Sequence, residues 1–267
     1  MCRDISFHSD IEMVIRDFEG IKVTPGLVNQ PSDTIHVTCE AMPAHPIVVN
    51  RQMLALANMS WGVVPTFVTD PRERQAQRRN YVNARSERVI EDKTSYWHKL
   101  RNNRCLIPVT GIFEHRKVKG FKNKIPYHVG IAGREQFYVP ALYQVSKEID
   151  SQTGDTYNFA SFAMLTREAN QKMMWIHNDG DHKHRMPLFL TKEMEQAWVS
   201  DDLGDDDMDE IFHYSIPSDD LVHYPVFSIR SLKEQPDGKD KDAPYDWGGK
   251  LPEYGADNPT LEQSSLF

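Results

Sequence analysis

The chain contains 267 residues with a formal net charge of −8, and 39% of its residues are hydrophobic. This hydrophobic content can build a sizeable core, which argues against global disorder. No apolar run approaches the roughly 20 residues that a bilayer span needs, and the first residues lack the basic and apolar regions of a signal peptide. We therefore expect a cytoplasmic protein without membrane contact. Its three cysteines form no CxxC pair, which argues against a disulfide framework and a structural zinc site.

Apolar alternation and β-branched residues predict an α+β protein. The predicted strands cover 34–39, 46–49, 105–113, 126–131, 137–145 and 158–165, and the predicted helices cover 51–59, 70–79, 86–93, 167–175 and 192–199. The acidic run 201–210 is interpreted as a solvated loop or a helix start. Residues 2–232 are predicted to form one domain. Residues 233–267 are rich in Pro, Gly, Asp and Lys, a composition typical of a flexible tail.

Positive charge is concentrated in one segment of this acidic protein. Residues 72–124 contain 15 Lys and Arg residues against five acidic residues. A local positive patch can bind a polyanion even when the net charge is negative, because salt screens electric fields beyond about 8 Å. The alternative is a solvated basic surface without a partner. The charge pattern alone leaves both interpretations open.

The second residue, Cys2, offers a distinct chemistry once Met1 is removed. The mature N-terminus would then carry an α-amine and a thiol on adjacent carbons. Such a 1,2-aminothiol condenses with an aldehyde: the amine forms a Schiff base, and the thiol closes a five-membered thiazolidine. An α-amine with a pKa of about 7.7 to 8.0 is partly unprotonated near neutrality, unlike a lysine side chain. The alternative is that Met-Cys is an incidental start.

Two further segments carry polar residues suited to catalysis. In LIPVTGIFEH (106–115), an apolar strand ends in Glu114. Desolvation there would raise the pKa of the carboxyl and suit it to proton transfer, although it could instead be an exposed acid past the strand end. In NARSE (83–87), Asn83 and Arg85 offer hydrogen-bond donors to a phosphate or sugar oxygen, and both could equally be structural.

Three histidines, His177, His182 and His184, lie within eight positions. Clustered histidines suggest a metal site. No carboxylate or cysteine elsewhere in the sequence has a matching ligand spacing, so we predict no metal and no other cofactor. A histidine-based metal hydrolase is the alternative.

Five motifs occur in the order and approximate spacing of the SOS response-associated peptidase (SRAP) family. They are Met1-Cys2, WGVVP (61–65), NARSE (83–87), CLIPVTGIFEH (105–115), and IH (176–177) followed by RMPLFL (185–190). HYPVF (223–227) resembles the closing strand of the family, and the resemblance covers about residues 2–230. It implies an SRAP-like fold, with antiparallel β-sheets in a barrel-like core flanked by helices. A monomer is expected.

The resemblance also implies a function. Members of this family crosslink their N-terminal cysteine covalently to the ring-opened aldehyde of an abasic site in single-stranded DNA. By this resemblance Cys2 is the nucleophile, Glu114 shuttles protons, Asn83 hydrogen-bonds near the N-terminal residue and the lesion, and the family's histidine helps to open the sugar. The implied activity is DNA–protein crosslinking with peptidase-like self-removal of Met1. The implied partner is single-stranded DNA with abasic sites, and the implied location is the nucleoid.

The sequence departs from the family pattern in three places. The usual MCGRF start is MCRDI here, GFYEW is GIFEH (111–115), and the usual IHxRMP is interrupted by seven residues, 178–184. The interruption makes the assignment of the family's histidine ambiguous. We favour His177, because it keeps the preceding Ile and follows a predicted helix. His184 is the alternative, and His182 is also a candidate.

Single strands of DNA are held by a positive groove and by side chains that stack on bases. Arg85 matches a DNA-contacting arginine of the family. Trp61 and Phe67 lie next to the basic segment and are predicted to stack on bases, and Arg185 is also predicted to bind DNA.

At the C-terminus, Gln263, Leu266 and Phe267 resemble a short peptide that docks on bacterial sliding clamps. The alternative is a random polar tail.

Two other functions stay open for the domain. One is a cysteine-type autopeptidase or N-terminal-nucleophile hydrolase that uses Cys2, and the other is a non-catalytic single-stranded DNA-binding module.

Overall fold

The computed structural model describes residues 2–8, 11–25, 27, 35–150, 152–231 and 233–256. The strands in these ranges are β1 (Asp4–Ser6), β2 (Lys22–Val23), β3 (His36–Thr38), β4 (Ala44–Asn50), β5 (Leu54–Trp61), β6 (Asn83–Arg85), β7 (Arg104–Val109), β8 (Gly111–Arg116), β9 (Ile125–Ile131), β10 (Phe137–Ile149), β11 (Thr156–Glu168), β12 (Arg185–Pro187) and β13 (Leu221–Pro225). The helices are α1 (Ile11–Asp17), α2 (Pro71–Gln77), α3 (Ser86–Ile90), α4 (Tyr96–Lys99), α5 (Gln171–Ile176), α6 (Lys192–Trp198) and α7 (Asp205–His213). Within the described ranges, no helix has the length and apolar character needed to cross a membrane. The predicted clamp-binding residues Gln263, Leu266 and Phe267 lie outside them.

The core is a closed barrel of five strands. β4 pairs with β5 and β7, and β10 pairs with β7 and β11. A short parallel pairing between β11 and β5, with Ser161 opposite Ser60 and Phe162 opposite Trp61, closes the cylinder. Each of the five strands therefore has two neighbours, which removes the open edges of the sheet. β2, β6 and β12 pair with single barrel strands at its margins.

A second sheet lies beside the barrel, with the strand order β13-β9-β8-β1-β3 and antiparallel pairing throughout. β7 and β8 follow each other in the chain but belong to different sheets. The chain turns between them at Thr110, whose amide donates to the Ser6 carbonyl at 2.8 Å. The single strand predicted over 105–113 is therefore two strands. The predicted α+β class and barrel-like core are confirmed.

The helix predicted over 51–59 is wrong, because this part of the chain belongs mainly to β5. Leu, Ala and Met favour helices intrinsically. Seven residue pairs nevertheless join β4 and β5, from Ala44 opposite Ser60 to Asn50 opposite Leu54, and this tertiary pairing overrides local propensity. The other four predicted helices overlap α2, α3, α5 and α6, whereas α1 and α4 were not predicted.

The acidic run 201–210 contains the beginning of α7 rather than a loop alone. Asp205, Asp206 and Asp207 form the first turn of this helix. Carboxylates at a helix N-terminus interact favourably with the helix dipole. Met208, Ile211 and Phe212 lie on the buried side of the same helix, where they join an apolar cluster and α7 packs against α3 and α6.

Part of the predicted tail contacts the body of the protein. Asp242 accepts a hydrogen bond from the Ser6 hydroxyl at 3.1 Å and lies 2.5 Å from Nε2 of His8. Trp247 stacks near Phe227, with ring centroids 6.2 Å apart, and packs against the core. These contacts attach residues of the 233–256 region to the rest of the chain. The domain boundary at residue 232 and the flexibility of the tail stay predictions.

Gly111 is needed where β8 passes His128 of β9. A Cβ atom at position 111 would lie 1.9 Å from Nε2 of His128, and His128 is buried and stacks on Tyr224 with ring centroids 4.9 Å apart. We expect Gly111→Ala to lower the free energy of unfolding by about 2 kcal/mol, because overpacking a core costs about 1 to 3 kcal/mol. Urea denaturation measures this change. Gly130→Ala is the control, since its nearest contact would be Val222 at 3.4 Å; equal losses in the two variants would contradict the explanation.

Candidate active site

Cys2 lies two residues before the start of β1 and is fully buried. Its position is fixed by the pairing of β1 with β3 on one side and β8 on the other. The Sγ atom lies 3.6 Å from the Asp4 carbonyl, a weak hydrogen bond in which the thiol donates. Burial raises the pKa of the Cys2 thiol well above its usual value, and the charges of Glu114 and Asp4 raise it further. The thiol is therefore protonated near neutrality and needs a proton acceptor before it can act as a nucleophile.

Asn83 holds the backbone of Cys2. It lies at the start of β6, which pairs in parallel with β11 through Asn83 opposite Met164. Nδ2 of Asn83 donates to the Cys2 carbonyl at 2.8 Å. The side chain is buried, and its Oδ1 accepts no hydrogen bond from the described residues. A buried acceptor without a donor is uncommon in folded proteins and carries a desolvation cost.

Glu114 lies on β8 and is 4% exposed. Burial raises the pKa of its carboxyl to about 7; the positive charge of the N-terminal amino group opposes this shift, and the negative charge of Asp4 contributes to it. Oε1 has no hydrogen-bond partner among the described residues, and the Cys2 thiol interacts with the carboxyl group. Near neutrality Glu114 is therefore populated in both its protonated and its ionised form. A group with this property can both donate and accept a proton.

His177 lies at the end of α5, a helix whose first turn is capped by the Asn170 side chain. Nδ1 of His177 lies 2.9 Å from the Arg185 carbonyl. Because a carbonyl only accepts, Nδ1 carries the proton and Nε2 keeps a free lone pair. Burial lowers the pKa of His177 to about 4. The imidazole is therefore neutral near pH 7, and the 3.9 Å approach of Nδ1 to Oε2 of Glu114 is a polar contact rather than an ion pair at that pH.

The seven-residue interruption of the family motif forms a loop that leaves and returns beside His177. The His184 amide donates to the His177 carbonyl at 2.9 Å, and His184 has a left-handed backbone with a φ of 61°. The loop is fastened to the β8–β9 connection. Asn178 Nδ2 donates to the Lys117 carbonyl at 3.0 Å, and its Oδ1 accepts from the Lys117 amide at 2.8 Å. His182 is exposed and His184 is half-buried, whereas His177 is the histidine that lies beside Glu114.

The residues predicted to bind DNA have different environments. Arg85 and Phe67 are exposed, and Phe67 packs edge-on against Tyr96 with ring centroids 5.2 Å apart. Trp61 is fully buried, and its Nε1 donates to the Val82 carbonyl at 2.9 Å. The expectation that Trp61 stacks on bases is therefore wrong for this structure, because its ring is part of the core.

DNA binding by Arg185 stays a prediction, but its guanidinium already has partners within the protein. Its guanidinium forms two hydrogen bonds to the Glu87 carboxylate at 2.6 and 2.9 Å and a third to the Thr166 carbonyl at 2.8 Å. The side chain is only 12% exposed. A fork-to-fork pair of this kind is a strong, specific interaction. Arg185 is therefore engaged within the protein, where it joins β12 to α3 and fixes the carbonyl that contacts His177.

Part of the positive charge in residues 72–124 serves the fold. Arg78 is buried and donates to the Gly62 carbonyl at 2.9 Å. Arg104 donates to the Trp198 carbonyl at 2.9 Å. Removing these cations from the count leaves a smaller basic surface than the sequence suggests. The exposed cations of the segment are Arg72, Arg79, Arg85, Arg88, Lys93, Lys99, Lys117, Lys119 and Lys122.

The three histidines do not form a metal site with their surroundings. In the part of the chain that the structure describes, no group of three or more His, Cys, Asp or Glu side chains has an arrangement that could hold a metal ion.

One charged residue near Cys2 was not singled out from the sequence. Asp4, which is 2% exposed, lies between Cys2 and the rest of β1, and the only sequence signal for it was the unusual MCRDI start.

The fold and site define an α+β protein in which Cys2, a buried carboxyl group and a neutral histidine meet beside a closed β-barrel. The family model described as SOS response associated peptidase (SRAP) matches residues 1–229. The chain therefore belongs to the SRAP family, and the resemblance found in its motifs is confirmed. No curated protein matches the chain.

Solved structures of bacterial proteins have a similar fold. A protein from Bacteroides thetaiotaomicron is 25% identical with a TM-score of 0.71, over 85% of this chain and 92% of that one. A protein from Bordetella bronchiseptica is 18% identical with a TM-score of 0.65, over 85% of this chain and 100% of that one. A phage-related protein from Bordetella bronchiseptica is 20% identical with a TM-score of 0.57, over 85% and 95% of the two chains. The last two likenesses concern the fold alone.

Proposed function

We propose that the protein recognises abasic sites in single-stranded DNA and forms a thiazolidine crosslink between Cys2, once Met1 is removed, and the ring-opened deoxyribose aldehyde. The observation that carries this proposal is the meeting of Cys2 with Glu114, a buried acid whose pKa of about 7 suits proton transfer in both directions. SRAP family membership supports the same chemistry.

The reaction is a condensation that releases one water molecule. The unprotonated α-amine of Cys2 adds to the aldehyde carbon and gives a carbinolamine. The carbinolamine loses its hydroxyl group as water and becomes an imine. The Sγ atom then adds to the carbon of the C=N bond, the thiol proton is transferred away, and the nitrogen gains a proton. The product is a five-membered ring that contains the former aldehyde carbon, the nitrogen and the sulfur.

Glu114 serves two of these steps. In its protonated form it donates a proton to the departing hydroxyl group of the carbinolamine. The resulting carboxylate accepts the thiol proton as sulfur adds to the imine. The raised pKa of the Cys2 thiol makes this second step necessary, because the buried thiol does not ionise on its own near pH 7. The unpartnered Oε1 atom is available for either transfer.

Asn83 and His177 have supporting roles. The hydrogen bond from Asn83 to the Cys2 carbonyl fixes the reacting residue, and the free Oδ1 offers an acceptor to the α-amine or to a sugar hydroxyl. His177 is neutral with a free lone pair on Nε2. It therefore accepts the proton of the anomeric hydroxyl when the sugar ring opens to the aldehyde.

The test is adduct formation by the Met1-processed protein with a single-stranded oligonucleotide that carries one abasic site. We expect a band that survives denaturing electrophoresis and that is absent for Cys2→Ala and for the undamaged oligonucleotide. Absence of the band with processed wild-type protein would overturn the proposal.

A cysteine-type autopeptidase is the second candidate, because the family is described as a peptidase. Thiol-based peptide hydrolysis needs a thiolate, which peptidases obtain by lowering the pKa of the cysteine. Here burial raises that pKa. This environment favours attack by the α-amine first and by the thiol second, as in thiazolidine formation.

The structure turns the ambiguity among the histidines into a prediction. We expect His177→Asn to slow adduct formation about 100-fold, because loss of a general base or acid typically costs 100-fold or more. His184→Asn is the matched control and should change the rate less than threefold, since Asn tolerates the left-handed backbone at that position. Single-turnover kinetics with the abasic oligonucleotide measure both rates. The reverse order of effects would assign the catalytic role to His184.

Binding of undamaged single-stranded DNA should depend on salt through the exposed cations. We expect the affinity to fall as salt rises, and Arg85→Ala to reduce the slope of log K against log salt by about 0.7, the value for one phosphate contact in single strands. Fluorescence anisotropy with a labelled oligonucleotide measures the slope. Lys147→Ala removes an exposed cation of β10 that lies outside the basic segment and is the control. Salt-independent binding, or equal effects of the two substitutions, would contradict binding of DNA through the basic segment.

A further inference from the structure

Asp4 is a buried carboxylate that a histidine and an arginine hold in place. Its Oδ1 accepts a hydrogen bond from Nε2 of His36 at 2.8 Å, and its Oδ2 accepts one from Nη2 of Arg230 at 2.6 Å. Burial opposes ionisation of Asp4, but the hydrogen bonds from His36 and Arg230 outweigh it and lower the pKa of the carboxyl. Asp4 is therefore a charged group inside the protein, at a position where an uncompensated charge would be very costly.

These contacts join three separate parts of the chain around the N-terminus. Asp4 belongs to β1, His36 belongs to β3, and Arg230 follows β13. Arg230 is the first residue beyond the region that matches the family model, and Asp4 lies in the MCRDI start that departs from the usual MCGRF. The hydrogen-bonded pair of Asp4 and Arg230 thus consists of residues that the family motifs do not specify.

Asp4 also lies next to the reacting groups. Its carbonyl accepts the weak hydrogen bond of the Cys2 thiol at 3.6 Å. Across the sheet Asp4 is opposite Phe113, the residue that precedes Glu114 on β8. After burial itself, the negative charge of Asp4 is among the influences that raise the pKa of Glu114 and of Cys2.

We propose that Asp4, hydrogen-bonded to His36 and Arg230, is a positioning residue that holds the N-terminal strand beneath Cys2 and places a fixed negative charge next to Glu114. The inference rests on the function proposed above, because the protonated form of Glu114 is the one that releases water from the carbinolamine. The titratable and charged groups around Glu114 are the N-terminal amino group, Cys2 and Asp4 from the N-terminal segment and His177 from α5. Those around Asp4 are His36, Arg230, the Cys2 and Cys39 thiols, and Glu114 and His115 of β8.

Two substitutions should act in opposite directions. Asp4→Asn removes the negative charge, leaves the Arg230 guanidinium without its carboxylate partner, and should lower the pKa of Glu114 by roughly one unit. Arg230→Gln keeps a hydrogen-bond donor, removes a positive charge, and should raise that pKa. The readout is a pH titration of the Glu114 carboxyl carbon by NMR, with the signal identified by its loss in Glu114→Gln. Glu40→Gln, which removes an exposed carboxylate near Arg230, is the control and should leave the titration almost unchanged.

The reaction provides a second readout at fixed pH. At pH 7 the rate of adduct formation should fall roughly fivefold in Asp4→Asn. This is the loss of the protonated form expected when the pKa of a group near 7 falls by about one unit. In Arg230→Gln the rate should change less than twofold. A purely structural role would produce no opposed pair of titration shifts. Shifts in the same direction, or none in either variant, would overturn the inference. The NMR titration decides this even if no adduct forms, and absence of an adduct from the wild-type protein would instead count against the proposed function.

Discussion

Glu114→Gln is expected to slow adduct formation by about 100- to 1000-fold, the usual contribution of a positioned general acid and base. Gln keeps the shape of the side chain but neither donates a proton to the departing hydroxyl group nor accepts one from the Cys2 thiol. Single-turnover kinetics with an oligonucleotide that carries one abasic site measure the loss. Glu114→Asp, which retains a carboxyl group at a greater distance, should recover part of the rate.

The pH dependence of the wild-type rate gives the same group a signature. Because the folded-state pKa of Glu114 is raised to about 7, its protonated form is fully present well below pH 7 and is lost as the pH rises through that value. The step that needs proton donation should therefore slow on the alkaline side of pH 7. Glu114→Gln should lack this dependence. A Gln variant with a wild-type rate, or with the same pH dependence, would remove Glu114 from the mechanism.

Blocking the α-amine of Cys2 is expected to abolish the stable adduct completely. The thiol would still be present, but without a free amine no imine forms and no thiazolidine ring can close. A suitable variant carries an N-terminal extension that ends in a protease site directly before Cys2. Intact mass before and after protease treatment identifies the blocked and free forms of the same preparation, and denaturing electrophoresis measures the adduct.

The two forms serve as each other's control. Only the cleaved form, with Cys2 as its N-terminal residue, should give an adduct that survives denaturation. Equal adduct formation by the extended form would mean that the thiol reacts without the amine. That outcome would contradict thiazolidine formation and favour the thiol-based peptidase alternative.

The architecture was predictable where sequence pattern and tertiary environment agree. The apolar runs of β9, β10 and β11 are buried strands at the predicted positions. Prediction failed over 51–59, where Leu, Ala and Met suit a helix but pairing with β4 produces a strand. It also failed at Thr110, since nothing local reveals that β7 and β8 enter different sheets. Closure of the barrel depends on contacts between residues about 100 positions apart, such as Ser60 and Ser161.

The candidate site was predictable to the extent that motifs carry it. Cys2, Asn83, Glu114 and His177 were all named from the sequence, and the structure brings them together. The apolar strand indicated desolvation and a raised pKa for Glu114. The environments of Cys2, Asn83 and His177 were not predictable, because burial and partners depend on distant segments. Trp61 illustrates this limit, since the sequence around an aromatic residue beside a basic segment does not distinguish a ring that faces solvent from one that is buried in the core.

Asp4 and Arg185 reveal the same limit for charged residues. Sequence position suggested that Arg185 binds DNA, but Glu87, which is 98 residues away in the chain, occupies its guanidinium. Asp4 is held by Arg230, which is 226 residues away. Such pairs become visible only when the fold is known, and they decide which charges are free to meet a ligand.

Condensation of Cys2 with an abasic-site aldehyde should give a thiazolidine. Intact mass spectrometry of Met1-processed protein, incubated with a single-stranded oligonucleotide bearing one abasic site, tests it most directly. We expect a species under denaturing conditions whose mass is the sum of protein and oligonucleotide minus one water, and which is absent with Cys2→Ala. If removal of Met1 is verified and this species does not form, or if it forms equally with Cys2→Ala, thiazolidine formation by Cys2 at the abasic site is contradicted.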